Sequence, residues 1–182
     1  MDKMVVLFAI SAVILFSNRS FGDDSKTLNS GSAYSRLCDE CDLCGLWRVV
    51  KWIPYMEIKG ADWRKTMFLR HQWMEFNGEG RLRTLAANKK MKLKDVLERL
   101  SKAPWGVKIK FKRRGFCEIS SESEKFPDAL WRCVVITKNI KLPKQKYNLS
   151  EGDVIMTLLD DDENILYFRL LRKIPDTLFS SP

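Results

Sequence analysis

Three cysteines at a fixed spacing, Cys38-x-x-Cys41-x-x-Cys44, are the most unusual local feature of this sequence. Thiolates at that spacing can wrap a zinc ion if a fourth ligand comes from elsewhere. They can also contribute to an iron–sulfur site, although the fourth cysteine and the proline of the ferredoxin run are missing. A redox-active thiol and plain disulfide use are the other two options. Asp39, Glu40 and Asp42 are interspersed and disfavour a metal. Cys117 and Cys133 lie on consecutive expected strands around a polar loop, so they can face each other across a sheet; equally, either can meet a thiol of the cluster. The chain has five cysteines in all. An odd number leaves at least one thiol without an intrachain partner. Disulfide use ranks first among these chemistries, and no metal or other cofactor is assigned.

The remaining candidates are aromatic. Six tryptophans and ten phenylalanines are many for this length, and a packed core accounts for most of them. Trp52, Trp73, Trp105 and Trp131 are the candidates to line a cavity for an apolar ligand. His71, the only histidine, alternates with Leu69 and Trp73 and reads as structural rather than as a general base. The acidic run Asp160 to Glu163 lacks the glycine and spacing of a calcium loop and reads as a solvated turn. Asn148-Leu149-Ser150 is a glycosylation acceptor only in a eukaryotic source. There is no Gly-rich phosphate loop, no Gly-x-Ser-x-Gly elbow and no His-Glu-x-x-His, so no catalytic residues are assigned and the chain is not expected to be an enzyme.

The disulfide ranking follows from the expected compartment. Val5 to Phe16 is an apolar run, too short for a bilayer span of ~20 residues but the size of a signal-peptide core. Ser20 and Gly22 precede an expected cut at Asp23. Residues 1–22 therefore read as a cleavable signal peptide, and the mature protein as secreted or periplasmic, where disulfides persist. No other segment is long and apolar enough to cross a membrane. The formal net charge of the whole chain is +9. Such a charge favours anionic surfaces or an acidic protein partner without naming one. Export and the lack of any nucleic-acid motif argue against nucleic acid.

These residues need a scaffold, and the sequence supplies mostly strands. Asp23 to Leu37 is rich in Ser, Asp, Asn and Gly, and residues 23–44 as a whole read as a flexible, cysteine-containing segment. Short apolar runs bounded by turn residues follow: Leu46–Ile53, Phe68–Phe76, Arg81–Ala86, Val107–Phe111, Phe116–Ile119, Trp131–Thr137, Val154–Leu159 and Ile165–Leu171. Asn77-Gly78-Glu79-Gly80 gives the strongest hairpin signal, and Asp160 to Asn164 another. Met91 to Lys102 breaks the pattern with Leu93, Val96, Leu97 and Leu100 on one helical stripe. It predicts one short amphipathic helix that covers an opening or an edge of the sheet. Residues 175–182 read as a loose C-terminal tail.

Eight antiparallel strands can form a sandwich or a closed barrel, and periodicity does not choose. The first and last strands do help. Gly45-Leu46-Trp47 opens the first as Gly-x-Trp, and the last reads Tyr167-Phe168-Arg169-Leu170-Leu171-Arg172-Lys173. With the hairpin Trp73 to Leu82, this pairing resembles the lipocalin superfamily over about residues 45–174. The family's long helix after the barrel is absent. The resemblance implies an all-β, antiparallel eight-stranded barrel. It also implies that Trp47 closes one end, with Arg172 or Arg169 stacked over its ring. The function that follows is non-catalytic binding of a small apolar or amphipathic molecule inside the barrel. A basic module that binds an envelope component or a protein is the alternative.

Overall fold

A computed structural model describes residues 33–54, 71–121, 129–141, 148–160, 162 and 165–175. The expected signal peptide and most of the C-terminal tail lie outside the described residues. Nine strands and two helices are present among them: β1 (Ser35–Leu37), α1 (Glu40–Leu43), β2 (Gly45–Pro54), β3 (His71–Phe76), β4 (Arg81–Ala87), α2 (Leu93–Ser101), β5 (Val107–Arg113), β6 (Phe116–Ser121), β7 (Ala129–Ile136), β8 (Val154–Leu159) and β9 (Ile165–Lys173).

β2 to β9 run as an up-and-down meander in which each strand pairs antiparallel with the next. The first strand of that meander then pairs with the last, β2 with β9, and the sheet closes into an eight-stranded barrel. Closure satisfies the edge strands that an open sheet would expose. The alternative of a sandwich is thereby settled in favour of the barrel. The seam between β4 and β5 is narrow, with only Arg81↔Lys108 and Leu82↔Val107 in register. One further bond, Ile109 N–H to the Gly80 carbonyl at 2.8 Å, continues it.

Every barrel strand contributes to one inner cluster, which includes Trp47, Met74, Leu82, Ile109, Cys117, Trp131, Met156 and Leu171. Alternate residues point outward, as the pleat requires, and two patches of the outer face are themselves covered. α2 lays Val96 and Leu100, both fully buried, against Leu46 and Trp73 on the outside of β2 and β3, with Leu85 of β4 packed alongside. The helix thus covers the outer wall of the barrel rather than an opening or an edge. Its Leu93/Val96/Leu97/Leu100 stripe matches the apolar outward residues of β2, β3 and β4, which would otherwise face water. On the other side, Val134, Ile136, Ile155, Phe168 and Leu170 pack outward against Leu149, and the Ile140↔Leu149 bridge holds that cover in place. Buried on both faces, β7 reads as the continuous run Cys133-Val134-Val135-Ile136 without alternation.

Residues 33–44, the described part of the segment expected to be flexible, include a strand and a helix. β1 adds to β7 through Ser35↔Ile136 to Leu37↔Val134, beyond the end of the β6 pairing. α1 follows at once; the Asp42 carboxylate accepts from the Asp39 N–H at its start at 2.7 Å and from the two terminal nitrogens of Arg36 at 2.6 and 2.5 Å.

Candidate functional site

The α1 end of the barrel is capped by Trp47. Its side chain is buried, and its indole N–H donates to the Leu43 carbonyl at 2.7 Å, so α1 and the first barrel strand are joined through one ring. The cation over that ring is Lys173, with Nζ 5.9 Å from the centroid. Neither Arg172 nor Arg169, the residues expected there, takes this place. The ladder gives the reason: Trp47 is the direct cross-strand partner of Lys173, so both side chains share the inner face. Arg172, one residue away, points outward and forms a two-point pair with Asp153 at 2.8 and 2.7 Å, while donating to the Asn148 carbonyl at 3.0 Å. Gly45 permits the cap. Its φ is +112°, and a Cβ there would lie 2.9 Å from Lys173 Cε. A side chain would thus collide with the stem that carries the ammonium toward Trp47.

Arg169 lies farther along β9 on the inner face. Its guanidinium carbon sits 5.3 Å from the Trp131 ring centroid, and one of its nitrogens approaches Met74 Sδ at 3.9 Å. Arg169 is only half-buried, and the inner-face neighbours Ile119, Ala129, Leu158 and Leu166 are partly buried as well. A charged fork therefore stands against an apolar, sulfur- and aromatic-lined wall. Such a wall accepts a hydrocarbon, and the fork accepts an anionic or strongly polar group.

The four tryptophans expected to line a cavity separate. Trp131 belongs to the inner cluster. Trp73 faces outward, packed under α2 in the outer cluster and stacked at 6.2 Å between centroids with His71. It cannot line the interior, because the inner positions of β3 are Met74 and Phe76. Trp105 also lies outside, with Arg83 4.2 Å over its ring while Arg83 pairs with Glu75 at 2.7 Å. Trp52 is opposite Arg169 in the ladder, and its side chain lies outside the described residues. Met74 and Lys173 were not singled out by sequence. Strand alternation alone would have placed Met74 inside, whereas Lys173 needs the register of the first strand against the last.

No two of the five cysteines are bonded to each other. Cys38, Cys117 and Cys133 nevertheless converge, all fully buried, with Cys117 Sγ 3.6 Å from Cys133 Sγ. Hydrogen bonds with the Cys117 and Cys38 side chains, together with burial, push the Cys133 thiol well above its ordinary range. Cys41 is exposed and Cys44 half-buried, so the spaced cluster splits between two environments. Burial raises the Cys44 thiol as well, with nearby Cys41 adding to the effect. Among the described residues there is no group of three or more His, Cys, Asp or Glu arranged to hold a metal ion.

A shallow cleft lies at the α1 end, lined by Glu40, Leu43, Asn77, Arg81 and Phe111 among others. Among the described residues, no helix is long and apolar enough to cross a membrane. Neither family models, nor curated proteins, nor solved structures give a match to this chain.

Proposed function

We propose that this chain is an exported, non-catalytic binding protein of lipocalin-like type, holding one amphipathic molecule with an anionic group inside its barrel. The observation that carries the reading is Arg169. A half-buried guanidinium on the inner face, beside Trp131 and Met74, is placed to donate to an anionic group that enters along the apolar wall. The interior of an eight-stranded barrel is wide enough to be filled by side chains or to hold one small ligand. The apolar tail would lie along the inner wall, and the anionic group would accept hydrogen bonds from Arg169. Export rests on the Val5–Phe16 run and the small residues before Asp23.

A second reading has its own support. On β5, Lys108, Lys110 and Lys112 alternate outward with exposed side chains, continued by Arg113 and Arg114. A basic stripe of this kind suits an anionic envelope component or an acidic protein.

Titration of the purified protein with a long-chain fatty acid, followed by tryptophan fluorescence, separates the two. The carrier reading expects saturable one-to-one binding that largely persists at high salt, since apolar burial is not screened. Association with anionic polymer or vesicles that vanishes as salt rises, without fatty-acid uptake, favours the basic module. Absence of any fatty-acid binding defeats the carrier reading.

A further inference from the structure

Three buried thiols meet where β1, β6 and β7 come together, and the backbone there distinguishes them. The β1–β7 register, Ser35↔Ile136 to Leu37↔Val134, continues by one step to place Cys38 directly opposite Cys133. Cys38 N–H donates to the Cys133 carbonyl at 3.1 Å, one of the two bonds of a hydrogen-bonded antiparallel pair, while Cys133 N–H turns to Gly115. Opposite α-carbons in a complete pair of this kind lie about 5.5 Å apart, and the one backbone bond present holds Cys38 and Cys133 near the roughly 4.4–6.8 Å that a disulfide spans.

Cys117 stands differently. Its ladder partner is Trp131, so Cys133 is two residues along, on the diagonal. Diagonal neighbours are about 7–8 Å apart, beyond what a disulfide bridges without backbone movement. The 3.6 Å contact between the Cys117 and Cys133 sulfurs is a thiol hydrogen bond made across that diagonal.

Gly115 locks the arrangement. It donates to the Cys38 carbonyl at 2.9 Å, and its own carbonyl accepts from Cys133 N–H at 2.7 Å. At φ +75° it sits so close to Leu37 that a Cβ would lie 2.6 Å from that side chain. The β5–β6 turn is thereby wedged against the Cys38–Cys133 pair.

From this geometry we infer that Cys38 and Cys133 form the protein's structural disulfide, tying the α1 cap to β7, and that Cys117 stays a buried thiol beside it. The bond forms by exchange with a small or protein disulfide. Cys38 and Cys133 each lose a proton, the pair gives up two electrons, and the oxidant leaves as two thiols. Full burial, together with the raised Cys133 thiol, suppresses the attacking thiolate in the folded barrel. The bond therefore closes while the chain folds and not afterwards. The inference is independent of any ligand.

The test is to refold the full chain with and without oxidised glutathione, alkylate it in denaturant without reductant, and map the linked peptides. A Cys38–Cys133 link is expected after oxidative refolding, retained in Cys117→Ser. Protein folded fully reduced and then exposed to oxidised glutathione at neutral pH should not acquire the link. Cys38→Ser should leave Cys117 and Cys133 unlinked to each other. A Cys117–Cys133 link in either the parent or Cys38→Ser overturns the register argument. So does recovery of Cys38, Cys117 and Cys133 as free thiols after oxidative refolding, with or without bound zinc.

Discussion

Lys173 lies over the indole of Trp47, and the two are direct partners in the ladder that closes the barrel. The first and last barrel strands are thus joined by backbone bonds and by a cation over a buried ring. Trp47 fills the inner face and bonds α1, whereas Lys173 adds only a cation–π contact near the rim. Trp47→Ala is expected to destabilise the domain by about 3–5 kcal/mol, the cost of deleting a buried large aromatic. Lys173→Met, which keeps the stem, should cost less than about 1 kcal/mol. Urea unfolding of both variants checks this. A loss below about 1 kcal/mol for Trp47→Ala would refute the role of this ring as the barrel floor.

Arg172 and Asp153 make a different kind of bond. Asp153 is almost wholly buried and also accepts from Ser150 N–H at 2.7 Å, while the Arg172 side chain is 36% exposed. Arg172→Met leaves a buried carboxylate short of its main partner. The expected loss is about 1–3 kcal/mol, below the range for a fully buried pair because solvent screens the arginine. In a double-mutant cycle with Asp153→Ala, the double variant should lose clearly less than the sum of the singles. Additive losses would show that the pair contributes nothing as a pair.

Acid should loosen the α1 cap. The hydrogen bonds from Arg36 hold the Asp42 carboxyl below its usual range, with a backbone bond at Asp39 adding to the effect. A folded value below the unfolded one means that the stabilisation is complete above roughly pH 4, the ordinary carboxylate value, and is lost as pH falls through the lower folded value. Unfolding midpoints measured from neutral pH down to about pH 2 should show an acid loss that is smaller in Asp42→Asn than in the parent. Parallel profiles for the two proteins would place the acid sensitivity elsewhere.

How much of this was legible follows from what each residue depends on. The strands from β2 to β9 were bounded by turn residues such as Asn77-Gly78, so their existence could be read locally. β1 could not: it is three residues long in a polar segment, and it is a strand only because β7 offers an unpaired edge beyond β6. The Lys173 position depends on the β2–β9 register, which shifts between Val49 and Lys51. One-residue shifts exchange inside and outside, so no reading of β9 alone could choose Lys173 over Arg172. Trp73 was misplaced for a related reason, because α2 makes an apolar patch of what would ordinarily be the solvent face. The meeting of Cys38 with Cys117 and Cys133 was one of several open pairings, and only the placement of β1 distinguishes it.

Processing gives a direct check on export. The mature protein should begin at or within a few residues of Asp23, as the apolar run and the small residues before it require. Mass spectrometry of material recovered from the periplasm or medium decides this. Secreted protein that retains Met1 would end the signal-peptide reading.

The sharpest test of the proposed interior is Arg169. If its guanidinium receives the anionic end of a ligand, removing it should weaken a carboxylate far more than a neutral analogue of the same length. A charge-assisted hydrogen bond contributes about 1.5–3 kcal/mol, so Arg169→Met should lower fatty-acid affinity by roughly 10- to 150-fold. The matching long-chain alcohol should change by less than about 3-fold, because methionine preserves the apolar wall beside Trp131 and Met74. The same substitution removes a cation from the Trp131 ring, so fluorescence amplitudes will differ between parent and variant. Affinities must therefore come from the titration midpoints, or from calorimetry. Equal losses for acid and alcohol would mean that Arg169 supports the wall without meeting the head group. An unchanged fatty-acid affinity would remove the observation on which the carrier reading rests, and the outward basic stripe of β5 would then be the better guide to function.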